Sequence, residues 1–178
     1  MKRSMIAILM ATTFTIASIA FFSCKDDNGI DEEWEELNWK AYTKTISTEE
    51  FSAVEVPAGF PKGVYKRVIK EGPGGISPHQ TAQVKINYKG YYYDGSVFDA
   101  GSSLTGVPVI FPVNGVIRGF SIALQSMRVG DKWEIVIPYF LGYGSQGNID
   151  PYSGAVLIKG YTTLYFEIEL LEVEQYPK

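Results

Sequence analysis

The chain has 178 residues, a formal net charge of -4 and 46% hydrophobic residues, which suits one domain plus an extension. The charge is mild and scattered, so no basic stripe argues for nucleic acid. One histidine and one cysteine leave little of the usual equipment for nucleophilic or metal-assisted catalysis, and a single cysteine excludes an internal disulfide.

The N-terminus reads as a targeting signal over 1–23. Met1-Lys2-Arg3 supplies positive charge, "MIAILMATTFTIASIAFF" an apolar core, and Ser23 a small residue before Cys24, the layout of a secretory signal. The only cysteine stands where a bacterial lipoprotein is cleaved and acylated. The likeness to a lipobox is loose, because Phe21 stands where Leu is usual. The alternative is an uncleaved transmembrane anchor, since the run is near the ~18-residue spanning threshold. Either reading puts the body outside the cytoplasm. The first holds it to the bacterial cell envelope, at the outer membrane, through a lipid on Cys24. "KDDNGIDEE" reads as a solvated acidic tether.

Residues 24–60 read as lipidated tether plus helical extension. In "DEEWEELNWKAYTK", from Asp31 to about Lys44, Trp34, Leu37, Ala41 and Tyr42 recur at helical spacing, with acids at the N-terminal end as the helix dipole prefers. "STEE" at Ser47–Glu50 is a capping-box pattern that predicts a second short helix. Trp34 and Trp39 are expected to pack onto the main domain. "VPAGFPKG" ends the helical region.

Strands follow. "GVYKRVIKEG" alternates and ends in a glycine turn. "AQVKINYKG" sets Val84, Ile86 and Tyr88 against Lys85, Asn87 and Lys89, the pattern of a half-buried antiparallel strand. Asp94-Gly95 predicts a hairpin turn between "YYY" and "SVFDA". One helix interrupts the strands: Ile117, Phe120, Leu124 and Met127 share a face, with Gly130 as the candidate C-cap. "KWEIVIP" and "TLYFEIELLEVE" then alternate, the latter placing Leu164, Phe166, Ile168 and Leu170 together. A lone helix among antiparallel strands predicts an α+β fold, a sheet covering one short helix.

The stretches "VKINYKGYYYDGSVFDAG", "FPVNGVIRGFSIALQSMRVGDKWEIVIPYFLGYGSQG" and "TLYFEIELLEV" resemble, in this order, the FKBP-type peptidyl-prolyl cis-trans isomerases. The match runs over roughly 62–174, so 61–178 is expected to be the isomerase domain, a curved antiparallel sheet over one short helix. The resemblance implies a shallow apolar pocket. Tyr88, Phe98 and Asp99 would form one wall, Val116 and Ile117 the rim, Phe120 the floor, and Ile158 and Phe166 the far side. Tyr143 would follow the "IPYFLGYG" turn and Leu157 would sit on a flap. It implies no cofactor or metal, and proline-containing segments of exported proteins as partners.

The chemistry suits these residue types. Rotation about an X-Pro bond meets a barrier of ~20 kcal/mol, and the twisted state is less dipolar than the planar amide. A dry aromatic pocket therefore favours it, and the rigid proline ring stacks on aromatic faces. Asp99 would present a fixed charge to the twisting carbonyl, Tyr88 would orient Asp99, and the Tyr143 hydroxyl would bond a substrate carbonyl. The sequence departs from the family pattern in three places. Phe120 stands where Trp is usual, Val109 where a wall Phe is usual, and Ile158-Lys159-Gly160 closes an extended flap where Ile-Pro-Pro is usual. Two readings stand beside catalysis: a non-catalytic FKBP-like peptide-binding or chaperone module, and a surface glycan-binding lipoprotein using exposed tyrosines. Each Phe taken alone is an ordinary core residue, and Asp99 alone an ordinary turn residue.

Overall fold

A computed structural model describes residues 32–56 and 59–174. The targeting signal over 1–23 and Cys24 lie outside the described residues. In chain order the elements are α1 (Glu32–Ile46), β1 (Ser52–Ala53), β2 (Tyr65–Lys70), β3 (Gln83–Tyr91), β4 (Val97–Asp99), α2 (Ser102–Thr105) and β5 (Val109–Pro112). A 3-10 turn at Val113–Gly115 leads to α3 (Arg118–Ser126) and β6 (Lys132–Ile137). A second 3-10 turn at Tyr139–Leu141 precedes β7 (Asn148–Ile149), β8 (Val156–Ile158) and β9 (Leu164–Glu174).

Period-two alternation builds the sheet. Val84 and Ile86 of β3, Trp133, Ile135 and Ile137 of β6, and Leu164, Phe166, Ile168 and Leu170 of β9 are all buried on one face. Seven strands pair antiparallel in the order β1-β2-β6-β9-β3, and both β4 and β5 pair with the free edge of β3. Helix α3 packs on the apolar face with Leu124, Ala123 and Ile122 buried. It lies close because Gly119 has no side chain: a Cβ there would sit 2.4 Å from Ile137 Cγ2. The α+β architecture is as the alternation predicts.

Helix α1 forms where the acidic first turn and the spaced apolar residues predict it. It packs on the opposite face of the sheet, where Tyr42, Val136 and Tyr165 make a second, smaller core. Fully buried Asn38 accepts a hydrogen bond from Thr163 N (3.0 Å), and the Thr163 hydroxyl donates to Asn38 O (3.0 Å). The Tyr42 hydroxyl donates to Gly63 O (2.8 Å). The boundary expected at residue 60 does not coincide with a gap in packing: β1 pairs with β2, and Val54 lies in the main core. Trp34 packs on the domain as expected. Trp39 is 46% exposed, and its ring meets that of Tyr42 within the same helix (ring centroids 5.2 Å).

Two local expectations are corrected. "STEE" does not open a helix. Ser47 Oγ and Thr48 Oγ1 donate backwards, to Lys44 O (2.7 Å) and Thr45 O (2.8 Å), closing the turn after α1. Helix α3 ends at Ser126 with Met127 already extended. Gly130 lies in the following turn, where its N–H donates to Leu170 O (2.7 Å). Among the described residues no helix is long and apolar enough to cross a membrane.

Candidate functional site

The edge of β3 is divided between two partners. Strand β5 pairs with Gln83 to Ile86, and β4 with Gly90 and Tyr91. Tyr88 falls in the gap, where Ser102 Oγ of α2 stands in for a strand partner by accepting the Tyr88 N–H (2.9 Å). The chain can turn this sharply because Gly101 sits at φ 49, and a Cβ there would lie 2.5 Å from Tyr88 O. Asp94-Gly95 forms the predicted hairpin turn, with Asp94 Oδ1 accepting from Ser96 N (2.9 Å) and Ser96 Oγ (2.6 Å). That turn delivers Phe98 and Asp99 beside Tyr88.

Tyr88, Phe98, Asp99, Phe120 and Tyr143 border one pocket of about 340 Å³, together with Val116, Ile117 and Phe166. Phe111 and Gly115 complete it. Its aromatic rings meet edge to face. Tyr88 lies 5.7 Å from Phe111 and 6.1 Å from Phe120, and Phe166 lies 5.0 Å from Phe120 and 5.5 Å from Phe98. This arrangement suits the ring quadrupoles and presents carbon surface to whatever enters.

One charge stands in this apolar setting. Asp99 Oδ2 accepts from the Tyr88 hydroxyl (2.9 Å) and Oδ1 from Gly101 N (3.0 Å), so both carboxylate oxygens are held. Burial, and then the bond to Asp99, push the Tyr88 phenol well above its ordinary pKa, keeping it a donor. The Tyr143 phenol is also raised, first by burial and then by the nearby Asp99 charge. Its hydroxyl has no hydrogen-bond partner among the described residues. Val116 and Ile117 bring the N-terminus of α3 to the pocket, and no described group takes up the Ile117 N–H, as is usual for the first donors of a helix.

Three of the predicted contact residues lie elsewhere. Val109 does not border the pocket, whereas Phe111 does, so the aromatic wall is present two residues further along β5. Residues 109 and 111 share a strand face, and the register Val84↔Phe111 decides which one reaches Tyr88. Ile158 is 6% exposed and belongs to the main core, and Leu157 on β8 is 54% exposed; neither borders the pocket. The single aromatic in "VIFPV" was the available signal for Phe111.

A comparable hollow on the other face of the sheet, about 310 Å³, is lined by Lys89, Lys132, Glu167 and Glu169. Lys132 pairs with Glu167 at 2.7 Å and Glu169 accepts from Asn87 Nδ2 (3.2 Å), the arrangement of a solvated charged face. The single histidine, His79, borders a third hollow beside Phe60 and Ile122. Among the described residues no three His, Cys, Asp or Glu come together as a metal site.

A family model described as FKBP-type peptidyl-prolyl cis-trans isomerase matches residues 74–171. The FKBP-type 22 kDa peptidyl-prolyl cis-trans isomerase of Escherichia coli is 48% identical over 111 residues, 62% of this chain and 50% of that protein. The chain thus spans half the length of that relative. The macrophage infectivity potentiator of Trypanosoma cruzi is 30% identical over 167 residues, 90% of this chain and 82% of its own. The crystal structure of a peptidyl-prolyl cis-trans isomerase from Pseudomonas syringae superposes with a TM-score of 0.66 at 30% identity, covering 81% of this chain and 96% of that one.

Proposed function

The chain belongs to the FKBP-type peptidyl-prolyl cis-trans isomerase family, and from that premise we propose that its aromatic pocket isomerises X-Pro bonds in exported polypeptides. The observation that carries this reading is the ring of edge-to-face aromatics around a carboxylate held by two donors. The proline ring enters among Phe98, Phe111, Phe120 and Phe166 and sheds water. Desolvation penalises the planar, more dipolar amide relative to the twisted one. The carboxylate of Asp99, held in one orientation, acts on the dipole of the rotating carbonyl at no cost of reorganisation. The unpartnered Tyr143 hydroxyl and the Ile117 N–H are donors for substrate carbonyls on either side of the turning bond. No proton changes hands, so the pocket needs neither a base nor a histidine.

The two flap residues Leu157 and Ile158 have different duties. Exposed Leu157 meets residues flanking the proline, and buried Ile158 anchors the flap in the core. Val109 supports Phe111 from the same face of β5. The N-terminal apolar run and Cys24 support export and attachment to the cell envelope by a lipid at Cys24. Mass spectrometry of the membrane-extracted protein tests this, and an unmodified Cys24 rejects it.

The activity is tested with the full chain on short X-Pro peptides. Acceleration of cis-to-trans conversion is expected, with kcat/KM flat between about pH 6 and pH 8 because no group in the pocket has to exchange a proton. A well-folded chain that accelerates no X-Pro peptide fits the peptide-binding module instead.

A further inference from the structure

Trp34 lies in the first turn of α1, outside the pocket, yet it touches the supports of two of the pocket's walls. Its indole N–H donates to Gly160 O (3.1 Å), 126 residues away in sequence. Its ring carries the Lys159 ammonium 4.7 Å from the centroid, within cation–π range. The same ring meets Tyr92 edge on at 6.4 Å and Tyr93 at 6.3 Å.

Each contact leads to a pocket residue. Tyr92 packs on Phe98 with centroids 5.0 Å apart, and Phe98 is one wall. Gly160 is followed by Tyr161, whose N–H donates to Gly144 O (2.9 Å) and whose ring packs on Tyr139 at 5.0 Å. Gly144 adjoins Tyr143, whose carbonyl accepts from Gly147 N (3.1 Å). Tyr143 belongs to the other wall. Helix α1 itself is firmly seated, because Asn38, one turn beyond Trp34, is bonded twice to buried Thr163. Trp34 is therefore a fixed post between the β3–β4 hairpin and the end of the flap.

We propose that Trp34 is a positioning residue: by holding Tyr92 and Gly160 it sets the spacing of the Phe98 and Tyr143 walls, and so the affinity of the pocket for its prolyl substrate. The proposal rests on the isomerase reading for its kinetic arm and on geometry alone for its structural arm.

The test uses the full chain carrying Trp34→Ala, Trp34→Phe, or Leu37→Ala as a control on the same helix at a side chain that is 39% exposed. For Trp34→Ala, KM for an X-Pro peptide should rise about fivefold or more, the scale of one lost hydrogen bond, with kcat within about twofold. Amide exchange at Gly144, Gly147 and Tyr161 should quicken by roughly tenfold while Ile168 and Leu170 in β9 stay within about twofold. Trp34→Phe keeps a ring against Tyr92 and loses the N–H. It should recover part of the KM while exchange at Tyr161 stays fast, and it serves both readouts if Trp34→Ala does not fold. Leu37→Ala should change neither. Unchanged KM and exchange in the Trp34 variants, or equal acceleration of exchange throughout β9, overturns the proposal. An inactive wild-type chain rejects the isomerase reading, and the exchange measurement then still decides whether Trp34 holds the two walls.

Discussion

Replacing Tyr88 with Phe isolates one bond in the pocket. The ring would stay between Phe111 and Phe120, so the apolar wall keeps its shape. Only the hydroxyl bond to Asp99 Oδ2, 2.9 Å long, is lost, leaving the carboxylate tied by Gly101 N alone. A hydrogen bond to a charged group contributes about 1.5–3 kcal/mol. Asp99 is partly exposed, so water replaces some of it, and the expected loss of stability is ~1–2 kcal/mol. With a urea slope of about 2 kcal/mol/M the midpoint should fall by roughly 0.5–1 M. A carboxylate free to swing is a poorer electrostatic partner for the rotating amide, so kcat/KM should drop about three- to tenfold. The decisive step repeats the substitution in an Asp99→Ala background. If Tyr88 acts by orienting Asp99, Tyr88→Phe should then cost less than about twofold in kcat/KM, a clear coupling in the double-mutant cycle. The same drop in both backgrounds would show that the hydroxyl acts on substrate directly and would refute the orienting role.

Phe120→Trp should raise kcat/KM, since an indole fills more of the 340 Å³ pocket and adds an N–H among rings that supply none; a value unchanged or lower on X-Pro peptides counts against the pocket floor as the weak point. Gly101→Ala should destabilise the domain by about 2–4 kcal/mol, because φ is 49 and the new Cβ meets Tyr88 O at 2.5 Å; thermal unfolding close to wild type would contradict the turn geometry. Alkali should unfold the protein early. Tyr42 is pushed up to about 12 by burial and then by Tyr65, and Tyr88, Tyr91, Tyr143 and Tyr165 are raised chiefly by burial. These phenols keep their protons in the folded state when those of the unfolded chain ionise, so their contribution is whole below about pH 10 and declines as pH rises toward and through the folded values. Urea midpoints that stay constant between about pH 9 and pH 11 would argue against buried phenols.

The central strands were legible because each buries one face along its length, so that period two is enforced there even where Val136 and Tyr165 are covered by α1 on the other. The same rule explains what was missed. Val109 and Phe111 point to the same side of β5, and alternation cannot choose between them; the choice is made by the pairing of Val84 with Phe111. Leu157 and Ile158 alternate correctly, but how far the flap stands from the pocket is a matter of tertiary packing. The "STEE" motif failed because serine and threonine hydroxyls can bond backwards as well as forwards. Here the chain leaves α1 before a new helix can begin. The face of α1 that docks was legible in Tyr42 but not in Asn38, whose burial depends on Thr163, more than a hundred residues on.

Strand β9 lies between β6 and β3, and among the described strands it alone joins β1, β2 and β6 to β3, β4 and β5. It is also the last of them to be synthesised. Until residues 164–174 are available, a growing chain holds two half-sheets with no hydrogen-bonded bridge, and the pocket lacks Phe166. The pairs between β3 and β9, from Tyr91 with Tyr165 to Gln83 with Glu174, all join residues more than seventy positions apart, the kind of non-local closure that is slow to form. A partial chain therefore cannot complete the domain, and assembly of the pocket waits for the arrival of its central strand. On the export proposed above, that order of events leaves the domain unfinished, and the chain still able to thread, until β9 is made.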